Sequence, residues 1–143
     1  MKRIAVSLLI LFLVVIGFVI INSVIARKNT IEEWNVIKED YEIINNRAIN
    51  YANKNLGNGT THILIGIGEE TFKDLSEREK YALENIKNYY KYQRYIMIYQ
   101  DTIEYGDETG CFVIIYSRTG EEPVYGDRQI EYLTGNWYKA WVN

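Results

Sequence analysis

The feature that most constrains this chain is a run of 23 positions, Ile4 to Ala26, without a charged side chain. Lys2 and Arg3 precede the run, and Arg27 and Lys28 follow it. As an α-helix rising about 1.5 Å per residue, the run reaches roughly 34 Å, which is enough to cross a hydrocarbon core of about 30 Å. The sequence therefore predicts a single-pass cell-membrane protein that contacts the lipid bilayer through Ile4 to Ala26.

A cleaved signal peptide is the alternative interpretation of the same run. Val24 and Ala26 fit the −3 and −1 positions of a cleavage site. The apolar part of a signal peptide normally has only about 7–15 residues, so the length of this run favours an anchor. The basic residues before the run favour an amino end in the cytoplasm and an extracytoplasmic domain.

Residues 1–28 are predicted to form a membrane anchor with basic flanks, and residues 29–143 a single soluble domain. A segment of that length suits one domain with one hydrophobic core. All 19 acidic residues but only 12 of the 16 basic ones lie beyond Lys28, which gives this part a formal charge of −7. Because phosphate binding needs clustered Lys and Arg, no nucleic-acid partner is expected.

The segment after the anchor has the pattern of an amphipathic helix. Thr30 and Glu33 match a capping box, and Gly57 stands where a helix terminator is expected. Apolar residues recur at intervals of three and four, namely Trp34, Ile37, Tyr41, Ile44, Ala48 and Tyr51. This stripe favours docking against a sheet, with a coiled-coil seam as the alternative.

The next elements are a strand and a second helix. Thr61 to Ile67 alternates isoleucine with other residues and predicts a strand. Ser76 and Glu79 match another capping box, which predicts a helix that ends near Arg94. A strand, a helix and a further strand predict a parallel strand pair with a right-handed crossover.

From Tyr95 onward the apolar period is two. Alternation from Tyr95 to Tyr105 predicts one strand, and GDETG predicts a hairpin turn into the next one, CFVIIYSR. QIEYL and WYKAWV are predicted to be the last strands. The predicted fold class is α+β: an N-terminal transmembrane helix, then a two-layer domain with two helices on one face of a mixed, mainly antiparallel sheet of about five strands, in the order α-β-α-β-β-β-β.

No catalytic, cofactor-binding or metal-ligating set is recognised, so we expect no cofactor and no enzyme activity. GIGEET, at residues 66–71, lacks the third glycine of a phosphate loop and has two glutamates where an anion would bind. His62, the single histidine, is predicted to be a partly buried strand residue. Cys111, the single cysteine, is predicted to be a buried thiol.

Carboxylates offer one alternative to a protein without catalytic function. Acidic pairs occur at residues 69–70, 107–108 and 121–122, with isolated carboxylates at Asp101 and Glu104. We expect the pairs to be solvated, as charges in turns generally are. Two carboxylates held on either side of a sugar would instead hydrolyse a glycoside.

Aromatic residues near the C-terminal end are the candidates for contact with a partner. Trp137 and Trp141 are four apart in a strand and share one face, which is predicted to be buried. Tyr138 is predicted to point outward. Because aromatic residues are enriched at protein interfaces, the predicted partner-binding residues are Tyr125, Tyr138, Trp137 and Trp141.

The segments YIMIYQDTIEY, CFVIIYSRTGEEP and NWYKAW carry a resemblance that covers Leu75 to Val142. This half of the chain resembles small bacterial membrane-anchored or envelope proteins of no known activity, which implies a strand meander and no functional residue. Some similar anchored proteins are regarded as immunity or envelope factors. The apolar helix followed by a sheet also resembles the type IV pilin family, although neither its glycine before the processing site nor its glutamate stands between Ile4 and Ala26.

These observations predict a single-span, non-enzymatic protein-interaction module at the cell envelope, either immunity-like or an accessory factor. The predicted partner is another protein. The alternatives are a module that binds cell-wall glycan, a carboxylate-based hydrolase, and a pilin-like subunit.

Overall fold

A computed structural model of the chain describes residues 2–57, 60–67, 72, 74–90, 93–107 and 111–142. Within these residues there are two helices and six strands: α1 Lys2–Asn55, β1 His62–Gly66, α2 Glu77–Tyr89, β2 Gln93–Tyr99, β3 Thr102–Asp107, β4 Phe112–Ser117, β5 Arg128–Thr134 and β6 Trp137–Val142. The predicted α+β class is confirmed, with six strands instead of five. The chain divides into two compact units, Met1–Asn35 and Val36–Asn143.

The N-terminal unit contains the apolar run. From Leu11 to Ile25 the large apolar side chains are exposed, and none of the most apolar 18-residue window of α1 is buried. By its length and composition this helix is able to cross a membrane, and a signal sequence meets the same criteria.

The helix start predicted at Thr30 is wrong, because α1 continues through this position. Thr30 Oγ1 donates a hydrogen bond to the carbonyl of Ala26 at 3.2 Å. A threonine hydroxyl is satisfied in this way inside a helix, so threonine alone does not identify a cap. The predicted end is confirmed, since α1 stops at Asn55 and Gly57 adopts a positive φ of 124°.

In the C-terminal unit, α1 packs on the sheet through its predicted stripe. Of the stripe residues in this unit, all except Tyr51 are buried: Ile37, Tyr41, Ile44 and Ala48. The Tyr41 ring lies edge-on to Tyr105 at 5.0 Å and to Trp137 at 5.7 Å. Its hydroxyl donates to Gln93 Oε1, and Gln93 Nε2 donates to the carbonyl of Tyr105 at 3.0 Å. These buried bonds fix the helix to β2 and β3.

The capping box at the start of α2 is confirmed: the Ser76 side chain accepts from the Glu79 amide, and the Glu79 carboxylate accepts from the Ser76 amide at 2.8 Å. The helix ends at Tyr89, five residues before the predicted Arg94. Arg47 of α1 pairs with Glu79 at 2.9 Å. Both helices therefore lie on one side of the sheet, which we call the helix face.

The sheet is antiparallel throughout the described strands, in the order β1-β2-β3-β4-β6-β5. The predicted parallel pair is wrong, because β1 and β2 are antiparallel neighbours with Gly66 opposite Tyr95. Ten residues separate Gly66 from Glu77, and the 13 residues of α2 rise only about 20 Å. That linker is long enough to span the helix, so α2 brings the chain back to the end of the sheet where β1 stopped.

The single strand predicted from Tyr95 to Tyr105 is two strands. Gln100 and Asp101 form the turn between β2 and β3, and neither has a positive φ. A two-residue hairpin is usually recognised by a glycine or an Asn-Gly pair, and this one has neither. The extra turn accounts for the sixth strand.

A ten-residue connection, Arg118–Asp127, covers the other side of the sheet. β4 and β5 both run antiparallel to β6, so the chain must travel back along the sheet between them. It does so over the side opposite the helices, which we call the open face, and we call the connection the strap. Under it lie four buried residues of β4 and β6, against which Tyr125 and Ile130 pack: Val113, Ile115, Tyr138 and Ala140.

Candidate functional site: a cavity beneath the strap

A buried carboxyl group, that of Glu104, lies on the open face. Its neighbours in β3, Ile103 and Tyr105, are completely buried on the helix face, so alternation directs Glu104 to the opposite side. Glu104 stands between Met97 of β2 and Ile115 of β4 and is only 7% exposed. Buried carboxyl groups need hydrogen-bond partners, because an unpartnered one is costly.

Those partners come from the strap and from β3 itself. The Tyr125 hydroxyl donates to Glu104 Oε1, and the Thr102 hydroxyl is a further hydrogen-bond partner of this carboxyl group. The guanidinium of Arg128 lies 5.5 Å from the centre of the Tyr125 ring and attracts the carboxylate electrostatically. The middle of the strap is thus fastened to the sheet by one hydrogen-bonded pair.

Burial raises the pKa of Glu104 above its ordinary value, against the opposing effects of the Tyr125 hydroxyl, Arg128 and Thr102. Burial also raises the pKa of Tyr125, and the adjacent Glu104 raises it further. The phenol therefore stays protonated and acts as the donor. Glu104 is a carboxyl group whose neutral form is favoured by its surroundings.

A cavity of about 710 Å³ opens beside this pair. Its described walls carry four carboxyl groups, those of Asp101, Glu104, Glu121 and Glu122, and no Lys, Arg or His. All but Glu104 are exposed. Val124 also lines the cavity and is 94% exposed. The site is a concave acidic surface with an apolar side chain at its rim.

The first residue of the strap holds it against the turn between β2 and β3. The Arg118 amide donates to the carbonyl of Asp101 at 2.8 Å, and the guanidinium donates to the carbonyls of Tyr99 and Gln100 at 3.0 and 2.8 Å. The second terminal nitrogen of the guanidinium, Nη2, donates to Asn53 Oδ1 of α1 at 2.9 Å. Arg118 therefore fixes one end of the cavity wall.

No family model, curated protein or solved structure matches this chain. The chemistry of the site follows from its own residues. In the parts of the chain that the structure describes, no group of three or more His, Cys, Asp and Glu residues could hold a metal ion. What the cavity offers is hydrogen-bond acceptors, hydroxyl groups and negative charge.

The four aromatic residues predicted to bind a partner do not form one surface. Tyr125 lies in the cavity wall on the open face. The predicted exposure of Tyr138 is wrong: it is 7% exposed and lies under the strap. Trp137 is 4% exposed and packs on Tyr41 across the helix face, where Trp141 is partly buried with Lys139 Nζ 5.8 Å from its ring. Of the four, Tyr125 alone lines the cavity.

The expected solvation of the acidic pairs is confirmed for Glu121 and Glu122. The isolated Asp101 is also exposed, whereas the isolated Glu104 is buried. The structure brings all four to one cavity. The burial of Glu104 was not predicted, because a glutamate between apolar strand residues normally faces water. The feature that could have indicated this burial is the ten-residue strap, which covers that face of the sheet.

Two further predictions on single residues are wrong. His62 is exposed, with its ring 6.0 Å from that of Tyr99, because β1 is an edge strand that the strap does not cover. Cys111 is exposed because it precedes the first residue of β4. Most of GIGEET, at residues 68–71, and Glu108 lie outside the described residues.

Proposed function

We propose that this chain is a single-span membrane protein whose acidic head, residues 29–143, is a non-enzymatic protein-interaction module at the cell envelope, either immunity-like or an accessory factor. The apolar run Ile4 to Ala26 supports the anchor, and the basic residues before it support an extracytoplasmic head. The cavity beneath the strap is its recognition site.

The observation that carries the proposal is the apolar tip of the strap at the edge of an acidic cavity. Val124 is almost fully exposed although Pro123 on one side of it is buried and Tyr125 on the other side packs against the sheet. An apolar group on a fixed support, surrounded by polar groups, has the composition of a small interface centre with a polar rim. The charge of the cavity selects a partner segment that combines an apolar residue with Lys or Arg.

Site-specific photo-crosslinking in intact cells tests this function. With a photoreactive residue in place of Val124 in the full chain, we expect one protein adduct of discrete size. The same residue at Tyr81, which is 68% exposed on α2, is the matched control and should give none. Glu121→Gln with Glu122→Gln should weaken the adduct from position 124. Equal crosslinking from both positions, or none from 124, would contradict the proposal.

A second candidate function is supported by the positions of Asp101 and Glu104 in one cavity. A glycoside hydrolase needs one carboxyl group that donates a proton and another that is ionised, and the raised pKa of Glu104 suits the donor. Full-length protein would be incubated with purified cell-wall glycan. Turnover that is lost in both Glu104→Gln and Asp101→Asn, and kept in Glu131→Gln, would establish the hydrolase. Retention without turnover would establish a glycan-binding module.

A further inference from the structure

We infer that the strap is a proton-controlled cover of the cavity, which closes over Glu104 when that carboxyl group is protonated and loosens when it ionises. If the strap controls access of a partner to the recognition site, the inference rests on the proposed function. As a property of the fold, it stands on the burial of Glu104 under the strap and on the charged groups that line the cavity.

The strap is fixed at its start and fastened in its middle by a contact that ionisation changes. Arg118 is held by three backbone carbonyls, of Tyr99, Gln100 and Asp101. Farther along, Pro123 is buried and Tyr125 bonds to the Glu104 carboxyl. The segment between these points is exposed. Any opening must therefore separate Tyr125 from Glu104.

Charges around Glu104 act on the strap when the carboxyl group ionises. Titratable or charged groups of the strap, the turn before β3, β2 and β5 line the same cavity or interact with Glu104: Glu121, Glu122, Tyr125, Asp101, Tyr99 and Arg128. Three of these are carboxylates and one is a cation. Ionisation adds a fourth carboxylate to the cavity, so the strap, which carries two of the other three, is repelled.

Thermodynamic linkage gives the same direction. Closure of the strap removes the carboxyl group from water, which disfavours its ionised form. A proton and the closed strap must then stabilise each other, since the linkage is reciprocal. Arg128 and the Tyr125 hydroxyl oppose this effect, but burial is the largest influence on the pKa of Glu104. The strap is therefore most closed below that pKa and opens as the pH rises through it.

Hydrogen exchange of the full chain in lipid nanodiscs tests the inference. The protection of amides in Arg118–Asp127, expressed against intrinsic exchange rates, should fall about tenfold between pH 3 and pH 8 for each pKa unit that closure adds to Glu104. Glu104→Gln should keep the protection at its low-pH level throughout. Glu131→Gln removes a carboxylate outside the cavity and should retain the wild-type profile. Constant protection in the wild type, or an unchanged profile in Glu104→Gln, would overturn the inference.

A second measurement covers the case in which Glu104→Gln fails to fold. In Tyr125→Phe and Tyr125→Ala the hydroxyl that lowers the pKa of Glu104 is equally absent, and only Tyr125→Ala also removes the ring of the strap. The Glu104 carboxyl group, followed by carbon-13 NMR in the same nanodiscs, should therefore titrate at a lower pH in Tyr125→Ala than in Tyr125→Phe. An equal or higher midpoint would overturn the inference. Neither measurement needs a partner, so failure of the crosslinking at Val124 would remove the proposed function and leave this result standing.

Discussion

The buried hydroxyl of Tyr41 offers a direct test of how α1 is held to the sheet. Tyr41 and Gln93 are both fully buried, and the Tyr41 hydroxyl donates to Gln93 Oε1. Tyr41→Phe keeps the ring contacts with Tyr105 and Trp137 and removes this donor alone. The amide oxygen of Gln93 then stays buried with one partner fewer.

The expected cost follows from that loss. Leaving a buried acceptor without its donor costs about 1–3 kcal/mol of unfolding free energy, more than the net worth of the hydrogen bond itself. At a urea dependence of about 2 kcal/mol per molar, the unfolding midpoint falls by about 1 M. Burial raises the pKa of Tyr41, so the phenol stays neutral and the cost should be the same from pH 5 to pH 9.

Urea unfolding of the full chain in detergent, followed by tryptophan fluorescence, measures the cost. Tyr81→Phe, on an exposed ring of α2, is the control and should change the free energy by less than about 0.5 kcal/mol. In the background of Gln93→Met the same Tyr41 substitution should cost less, because its acceptor is already gone. A midpoint equal to that of Tyr81→Phe would refute the reasoning that this bond holds the helix in place.

Three further predictions concern other parts of the head. A Cβ added at Gly106 would lie 2.9 Å from Tyr95 Cε2, so Gly106→Ala should cost about 1–3 kcal/mol in urea unfolding, and less in a Tyr95→Ala background. Ser76→Ala removes the capping box with Glu79 and should cost about 1 kcal/mol, seen as a lower thermal midpoint by circular dichroism. The pKa of Glu104 is raised by folding, so its contribution to stability is complete at acid pH and is lost as the pH rises through the raised value. Glu104→Gln should therefore be more stable than the wild type at pH 8, and its free energy of unfolding should lack the decline that Glu104 causes as the pH rises. An equal decline in both proteins would show that Glu104 is not its cause.

Short-range signals in the sequence predict much of this fold. Ser76 and Glu79 identify the start of α2 because both halves of a capping box are local. The stripe from Ile37 to Ala48 identifies the buried side of α1 because helix periodicity is itself local. Thr30 and Glu33 show the limit of such signals, since the same pair also fits the interior of a helix.

What the sequence does not predict depends on contacts between distant segments. The antiparallel pairing of β1 and β2 depends on where the linker before α2 takes the chain. The burial of Glu104 and Tyr138 depends on the strap, which lies over the open face only because β6 separates β4 from β5. Alternation along a strand shows which residues share a face of the sheet. Whether that face is covered depends on segments that are distant in the sequence.

The placement of β6 between two strands that precede it also affects synthesis. As the chain emerges from the ribosome, β2, β3 and β4 each pair with the strand that was made just before them. β5 has no neighbour until β6 is made, since its described backbone partner is β6. A nascent polypeptide stalled between these two strands would expose Ile130 and Tyr132 on an unpaired edge, and a premature stop there would leave the protein open to chaperones and proteases.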